Sequence, residues 1–85
     1  MDFKRGSIVR AKAGRDKGGF FIVVAVDKNF AYIADGRQRK AEKPKKKKLI
    51  HLAPTNTVIE GSFETNPKIK RILNEFIKNG GYDYV

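Results

Sequence analysis

The 85 residues contain no cysteine and only one histidine. Without cysteine there is no disulfide framework and no thiolate metal site. A chain without thiols suits a reducing cytosol, so a cytoplasmic location is expected. The single histidine, His51, has no second metal-type ligand spaced near it. It reads as a packed or surface residue, and no metal or cofactor is expected. Catalysis finds little to use: no thiol, one imidazole, and no carboxylate pair spaced for acid–base work. Asp27 and Asp35 lie at turn signals, where Asp commonly bonds the local backbone. The expectation is therefore a protein that is not an enzyme. Long hydrophobic runs are also missing. The longest, Phe20 to Val26, has seven residues, against roughly 20 for a bilayer-spanning helix. No membrane association is expected. Met1 to Ala13 lacks the apolar run of about 7–15 residues that marks a secretory signal.

Acid is scarce as well. Nineteen Lys and Arg face nine Asp and Glu, for a formal charge of +10. The excess is not spread evenly. Residues 1–52 hold fifteen basic and five acidic residues, and residues 53–85 hold four of each. Arg37, Arg39, Lys40, Lys43, Lys45, Lys46, Lys47 and Lys48 lie within twelve positions, opposed only by Glu42. Gathering charge of one sign in one place opposes folding, so it needs a reason. Most charge runs are solvated faces or tails. This one lies inside the chain between ordered-looking segments, which points to a polyanionic partner.

A chain of this length makes one domain and buries roughly 60–65% of its unfolded surface. Ser7 to Ala11 alternates, with Val9 and Ala11 on one face and Ile8 and Arg10 on the other, and is read as a strand. Phe20 to Val26 is apolar throughout and rich in β-branched and aromatic residues, as in a strand buried on both faces. Asp27, Lys28 and Asn29 give a turn, and Phe30 to Ala34 a third strand. Asp35-Gly36 is a tight-turn signal. Pro44 cannot donate to a ladder, so the basic stretch is an edge strand or loop. Lys48 to Leu52 is expected as the fourth strand. Short strands at about ten-residue spacing point to a small, mainly β barrel. Asn66 suits a helix cap and Pro67 its first position. Ile69, Ile72, Leu73, Phe76 and Ile77 then form one apolar stripe, with Lys68, Lys70, Arg71, Asn74 and Lys78 outside it. Gly80 and Gly81 end the helix, predicted over about 67–79. Core packing is the expected role of the stripe; a partner-binding surface is its alternative.

The loop Lys12 to Gly19 carries three glycines, three cations and Asp16. Glycine lets another chain approach without a Cβ in the way. Backbone N–H groups in such a turn, with Lys and Arg beside them, suit phosphate oxygens. The spacing is neither that of a Walker loop nor G-x-G-x-x-G.

With a strand before it, Gly14 through Lys17-Gly18 and the apolar strand starting at Phe20, the segment is similar to the KOW motif. Residues 6–27, followed by Asp35-Gly36, Pro44-Lys45 and His51-Leu52, resemble the fourteen-e family of archaeal and eukaryotic large-subunit ribosomal proteins and its short bacterial KOW-domain relatives. The resemblance spans Gly6 to Leu52. It implies an SH3-like barrel over about residues 1–52, with residues 53–85 as a C-terminal extension of the same domain. It further implies binding to RNA, usually ribosomal RNA. In KOW domains the loop between the first two strands commonly touches RNA. By position that brings in Lys12, Arg15, Lys17, Gly18 and Gly19. The family's basic segment corresponds to Arg37, Arg39, Lys40, Lys43, Lys45, Lys46, Lys47 and Lys48. The partners so implied are RNA and other ribosomal proteins; the free protein is expected to be a monomer.

Plainer roles stand beside these. Gly14, Gly18 and Gly19 serve a tight turn, close approach to phosphate, or both. Asp16 repels phosphate, so it is expected to cap the loop or orient Arg15 or Lys17. Phe20, Phe21, Phe30 and Tyr32 are read mainly as core, with Tyr32 the candidate for stacking on a base. Tyr82 and Tyr84 lie on a tail read as frayed. Two other functions compete: a protein-interaction SH3-like module of a transcription or translation factor, and a DNA-binding or charge-bridging protein. An apolar groove with exposed aromatics favours the first, and phosphate contacts alone do not exclude the second.

Overall fold

Alternating side-chain directions let three central strands bury both of their faces. The computed structural model describes residues 3–80. Strand β1 spans Ser7–Ala11, β2 Phe20–Asp27, β3 Phe30–Ala34, β4 Lys45–Lys48 and β5 Leu52–Val58. All pair antiparallel in one sheet with the order β4-β3-β2-β1-β5. A 3-10 turn over Leu49–His51 carries the chain from β4 to β5 at the opposite edge. The sheet is open, with β4 and β5 as its two edges, and so does not close into the barrel expected from sequence.

One face carries Val9, Ala11, Phe21, Val23, Ala31, Ile33 and Leu52, with Phe3 and Leu49 packed alongside. Val9, Val23 and Ile33 have no exposed surface at all. These are almost entirely the sheet's own residues, so the sheet curls over this face to exclude water. Register shifts at Ser7/Val9 and Val23/Ala25 supply the bends, since a bulge kinks a strand and tightens its twist. Thr55 donates its hydroxyl to the Ile8 carbonyl at 2.7 Å beside the first of them.

The other face carries Ile8, Ile22 and Ala34. It is covered by Phe63 and by Ile69, Leu73 and Phe76 of helix α1, Asn66–Lys78. The Phe76 ring meets Phe20 edge-on, with centroids 5.3 Å apart. An apolar stripe of this kind is stabilised mainly by such docking.

Several expectations are corrected. Lys48 to Leu52 is not the fourth strand. Lys45–Lys48 forms that strand, and the following residues turn. The sheet also continues past Leu52 into β5. This strand contains Pro54 and little large apolar surface, so its sequence argues against a strand. An edge tolerates proline. Strand β2 is buried on both faces only in its first half; Ala25 and Val26 are exposed. In α1, Ile77 lies outside the buried stripe, at 45% exposure. Asn66 does not cap the helix. Thr65 occupies the cap position without a side-chain bond, so Pro67 is the second helical residue, one later than expected. Gly80 follows the helix with φ +70°. Gly81, Tyr82 and Tyr84 lie outside the described residues. No helix among the described residues is long and apolar enough to cross a membrane.

Candidate nucleic-acid interface

The loop between β1 and β2 is closed by its own backbone. Gly18 N–H donates to Ala11 O at 2.8 Å, and Ala11 N–H to Gly19 O at 3.0 Å. Lys17 N–H donates to Gly14 O and Gly19 N–H to Asp16 O. At the loop's start, Lys12 N–H bonds the carbonyl of His51 in the 3-10 turn at 2.8 Å. Three of the loop's backbone N–H groups, those of Lys17, Gly18 and Gly19, are thus used to close it. The loop also offers side chains outward: Lys12, Arg15 and Lys17 are exposed.

Asp16 joins this loop to the basic segment. Its side chain keeps only 7% of its exposure. Arg39 grips it in bidentate fashion, Nε to Oδ1 at 3.2 Å and Nη2 to Oδ2 at 3.0 Å. Lys47 Nζ lies 3.8 Å from Oδ2 and donates to Ala13 O at 2.8 Å. A side chain on Gly14 would come within 3.2 Å of that ammonium. Asp16 therefore orients Arg39 and Lys47, not Arg15 or Lys17. These two cations, 26% and 9% exposed, are committed to the fold. Gly19 is also turned inward, for a Cβ there would strike the Phe21 ring at 3.0 Å. Gly18 differs: its φ is +91° and nothing lies within 4 Å of where its Cβ would be.

The connection from β3 to β4 is equally ordered. The Asp35 carboxylate accepts the N–H groups of Arg37 and Arg39 at 2.9 and 3.0 Å. Asn66, at the start of α1, accepts Ala41 N–H at 2.7 Å and donates to Glu42 at 2.9 Å. That amide bond, then Glu42's own backbone and Lys40, hold the Glu42 carboxyl below its usual range. Glu64, elsewhere on the surface, is lowered by the Ser62 hydroxyl first and by Arg5 among other causes. Arg37, Lys40 and Lys43 project from this connection, exposed.

On β4 the strand period splits the lysines. Lys47 points to the curled face, whereas Lys46 and Lys48 lie opposite Tyr32 and Phe30 in the register. Lys46 Nζ sits 4.3 Å from the Phe30 ring centroid, a cation–π contact. Lys45, Lys46 and Lys48 are exposed, and Tyr32 is half-buried beside them.

Of the thirteen candidate residues, Lys12, Arg15, Lys17, Gly18, Arg37, Lys40, Lys43, Lys45, Lys46 and Lys48 are exposed, while Arg39, Lys47 and Gly19 support the loop and arm. Sequence reasoning missed Asp16 as the joint and Asn66 as the clasp. The signal for Asp16 was present: a lone carboxylate between Arg15 and Lys17, in a loop that otherwise invites anions, needs cations from elsewhere. Nothing in the pattern around Asn66 separates a clasp from a cap. Among the described residues, no group of three or more His, Cys, Asp or Glu side chains is placed to hold a metal ion. No family model and no curated protein sequence matches the chain.

Proposed function

We propose that the chain is a non-catalytic RNA-binding protein of the SH3-like KOW type, acting in the cytoplasm on ribosomal RNA or a ribosome-associated RNA. The observation that carries this reading is the Asp16 joint. It spends one carboxylate and two cations to hold the glycine loop against the basic arm, so that Lys12, Arg15 and Lys17 are fixed relative to the exposed lysines of β4. The resemblance over Gly6 to Leu52 adds the choice of RNA. The curled antiparallel sheet, with its loop between the first two strands, supports this reading as far as strand order and loop position go; its edges stay open where a closed barrel would join them. Long, solvated side chains meet the phosphates. Affinity comes from counterion release and selectivity from RNA shape.

Crosslinking in cells followed by sequencing of the bound RNA tests the proposal. Enrichment of one ribosomal RNA region is expected. Recovery of no RNA would refute it. The protein-interaction reading draws on the apolar clefts that flank the exposed Ile50. It ranks second because a lysine stands on the rim of each cleft and both adjoin the cationic surface.

A further inference from the structure

Ile50 is the most exposed large hydrophobic residue of the described chain, at 73%. It sits on the 3-10 turn between two clefts of about 310 Å³ each. One is lined by Phe3, Lys12, Leu49, Ile50 and Leu52, the other by Asn29, Phe30, Lys48, Leu49 and Ile50. Volumes of this order fall at the small end of ligand sites, roughly 300–1,000 Å³. Neither lining contains a carboxylate. Asp27 stands opposite Phe30 in the β2–β3 register, with Lys28 next to it. The core does not require Ile50: the turn is fixed by Leu49, whose N–H donates to Asn29 O at 2.9 Å and whose side chain packs on the curled face.

The second cleft combines an aromatic wall, an aliphatic wall, a neutral amide and a cation. We propose that it takes one unpaired nucleobase of the bound RNA, packed between Phe30 and Ile50, with the adjoining phosphate at Lys48. Any base has a face to stack and edges for a side-chain amide to bond, here that of Asn29. The cation now over the Phe30 ring, Lys46, is displaced by the base and meets the same nucleotide's backbone. An apolar peptide would also fill the cleft. The charge at the rim and its continuity with the lysines of β4 favour a ligand that carries phosphate beside each flat apolar group.

This inference rests on the RNA-binding reading, and its test separates the two. The probes are an RNA stem-loop with one bulged 2-aminopurine and the same stem-loop fully paired. Wild-type protein is expected to bind the bulged RNA about tenfold more tightly, within the range of one stacked base. The 2-aminopurine fluorescence should change on binding. Ile50→Ser and Phe30→Leu should each remove the preference and the fluorescence change while leaving affinity for the paired RNA as it was. Ile50 is exposed enough for its substitution to spare folding, which keeps the test open should Phe30→Leu unfold. Equal binding of the two RNAs, or equal loss for both in Ile50→Ser, overturns the base pocket without touching the proposed function. Failure to bind either RNA overturns the RNA-binding reading itself. An acidic apolar peptide that binds wild-type but not Ile50→Ser, and is not displaced by bulged RNA, assigns the cleft to protein instead.

Discussion

Asp16 holds two cations that repel each other, one of them, Lys47, also tied to the Ala13 carbonyl. Removing its charge leaves Arg39 and Lys47 beside each other in a partly dry site. Breaking a fully buried pair costs about 3–5 kcal/mol. Arg39 remains 26% exposed, so Asp16→Asn should cost roughly 2–4 kcal/mol, read as a lower urea midpoint at unchanged slope. Lys47→Ala should also lower the midpoint, and Lys45→Ala should leave it within about 0.5 kcal/mol. If the two lysine variants melt alike, the joint is not where the geometry puts it. Gly18 makes a second case. Its backbone is left-handed and its surroundings empty, so Gly18→Val adds strain without a clash. The expected cost is about 1–2 kcal/mol, measured by thermal melting, with weaker RNA binding because the branched side chain fills the space beside Lys17. Residue chemistry in this region was legible from sequence, since a glycine loop with cations announces itself. The pairing was not, because Asp16 and Arg39 lie 23 positions apart and charge alone does not choose among eight cations.

Helix α1 acts by covering the sheet face that holds Ile8 and Ile22. Phe76 is 8% exposed and touches Phe20, so Phe76→Ala should cost about 3–4 kcal/mol. Ile77→Ala should be nearly silent, within about 0.5 kcal/mol. Differential scanning calorimetry distinguishes them, and equal losses would mean that the stripe is buried as a whole. RNA affinity should hold in both variants wherever the protein remains folded. The clasp between the arm and this helix has a pH signature. The Asn66 amide lowers the pKa of Glu42, so the folded form binds that proton less readily than the unfolded chain. The contribution is complete above the ordinary value of 4.5 and is lost as pH falls through the lowered one. The Asn66 side-chain amide resonances should therefore move only below about pH 4.5; movement at higher pH would point to another group. Strand β1 and the helix could be read from their periods, and β2 and β3 from apolar composition bounded by turn signals. Strand β5 could not, because Pro54, Thr55, Asn56 and Thr57 carry no alternation of large apolar groups, and its place is set by pairing with β1.

For the whole molecule the decisive quantity is where the +10 resides. With about five phosphates contacted, log K should fall with log[salt] at a slope of about −3.5 to −4.5, followed by fluorescence anisotropy across a salt series. A slope near zero would leave the basic surface without its proposed task. The curl of the sheet was not legible in the sequence. It depends on register shifts at Ser7/Val9 and Val23/Ala25; Pro54, opposite Val9, lies at the first, but no glycine or proline marks the second. An open sheet has a further consequence at its rims. Unpaired strand edges recruit the edges of other molecules, and lysine and proline are among the residues that discourage this. Here β4 is four lysines and β5 contains Pro54. The residues that attract an anionic chain thus also keep copies of this chain apart. Changing the exposed Lys45, Lys46 and Lys48 to alanine removes the barrier at the β4 edge together with the phosphate contacts, so self-association through that edge is the natural fate of a variant designed only to lose RNA. Reversal of Lys45, Lys46 and Lys48 to glutamate, with Lys47 kept for the Asp16 joint, separates the two effects, because it repels phosphate and a neighbouring copy alike.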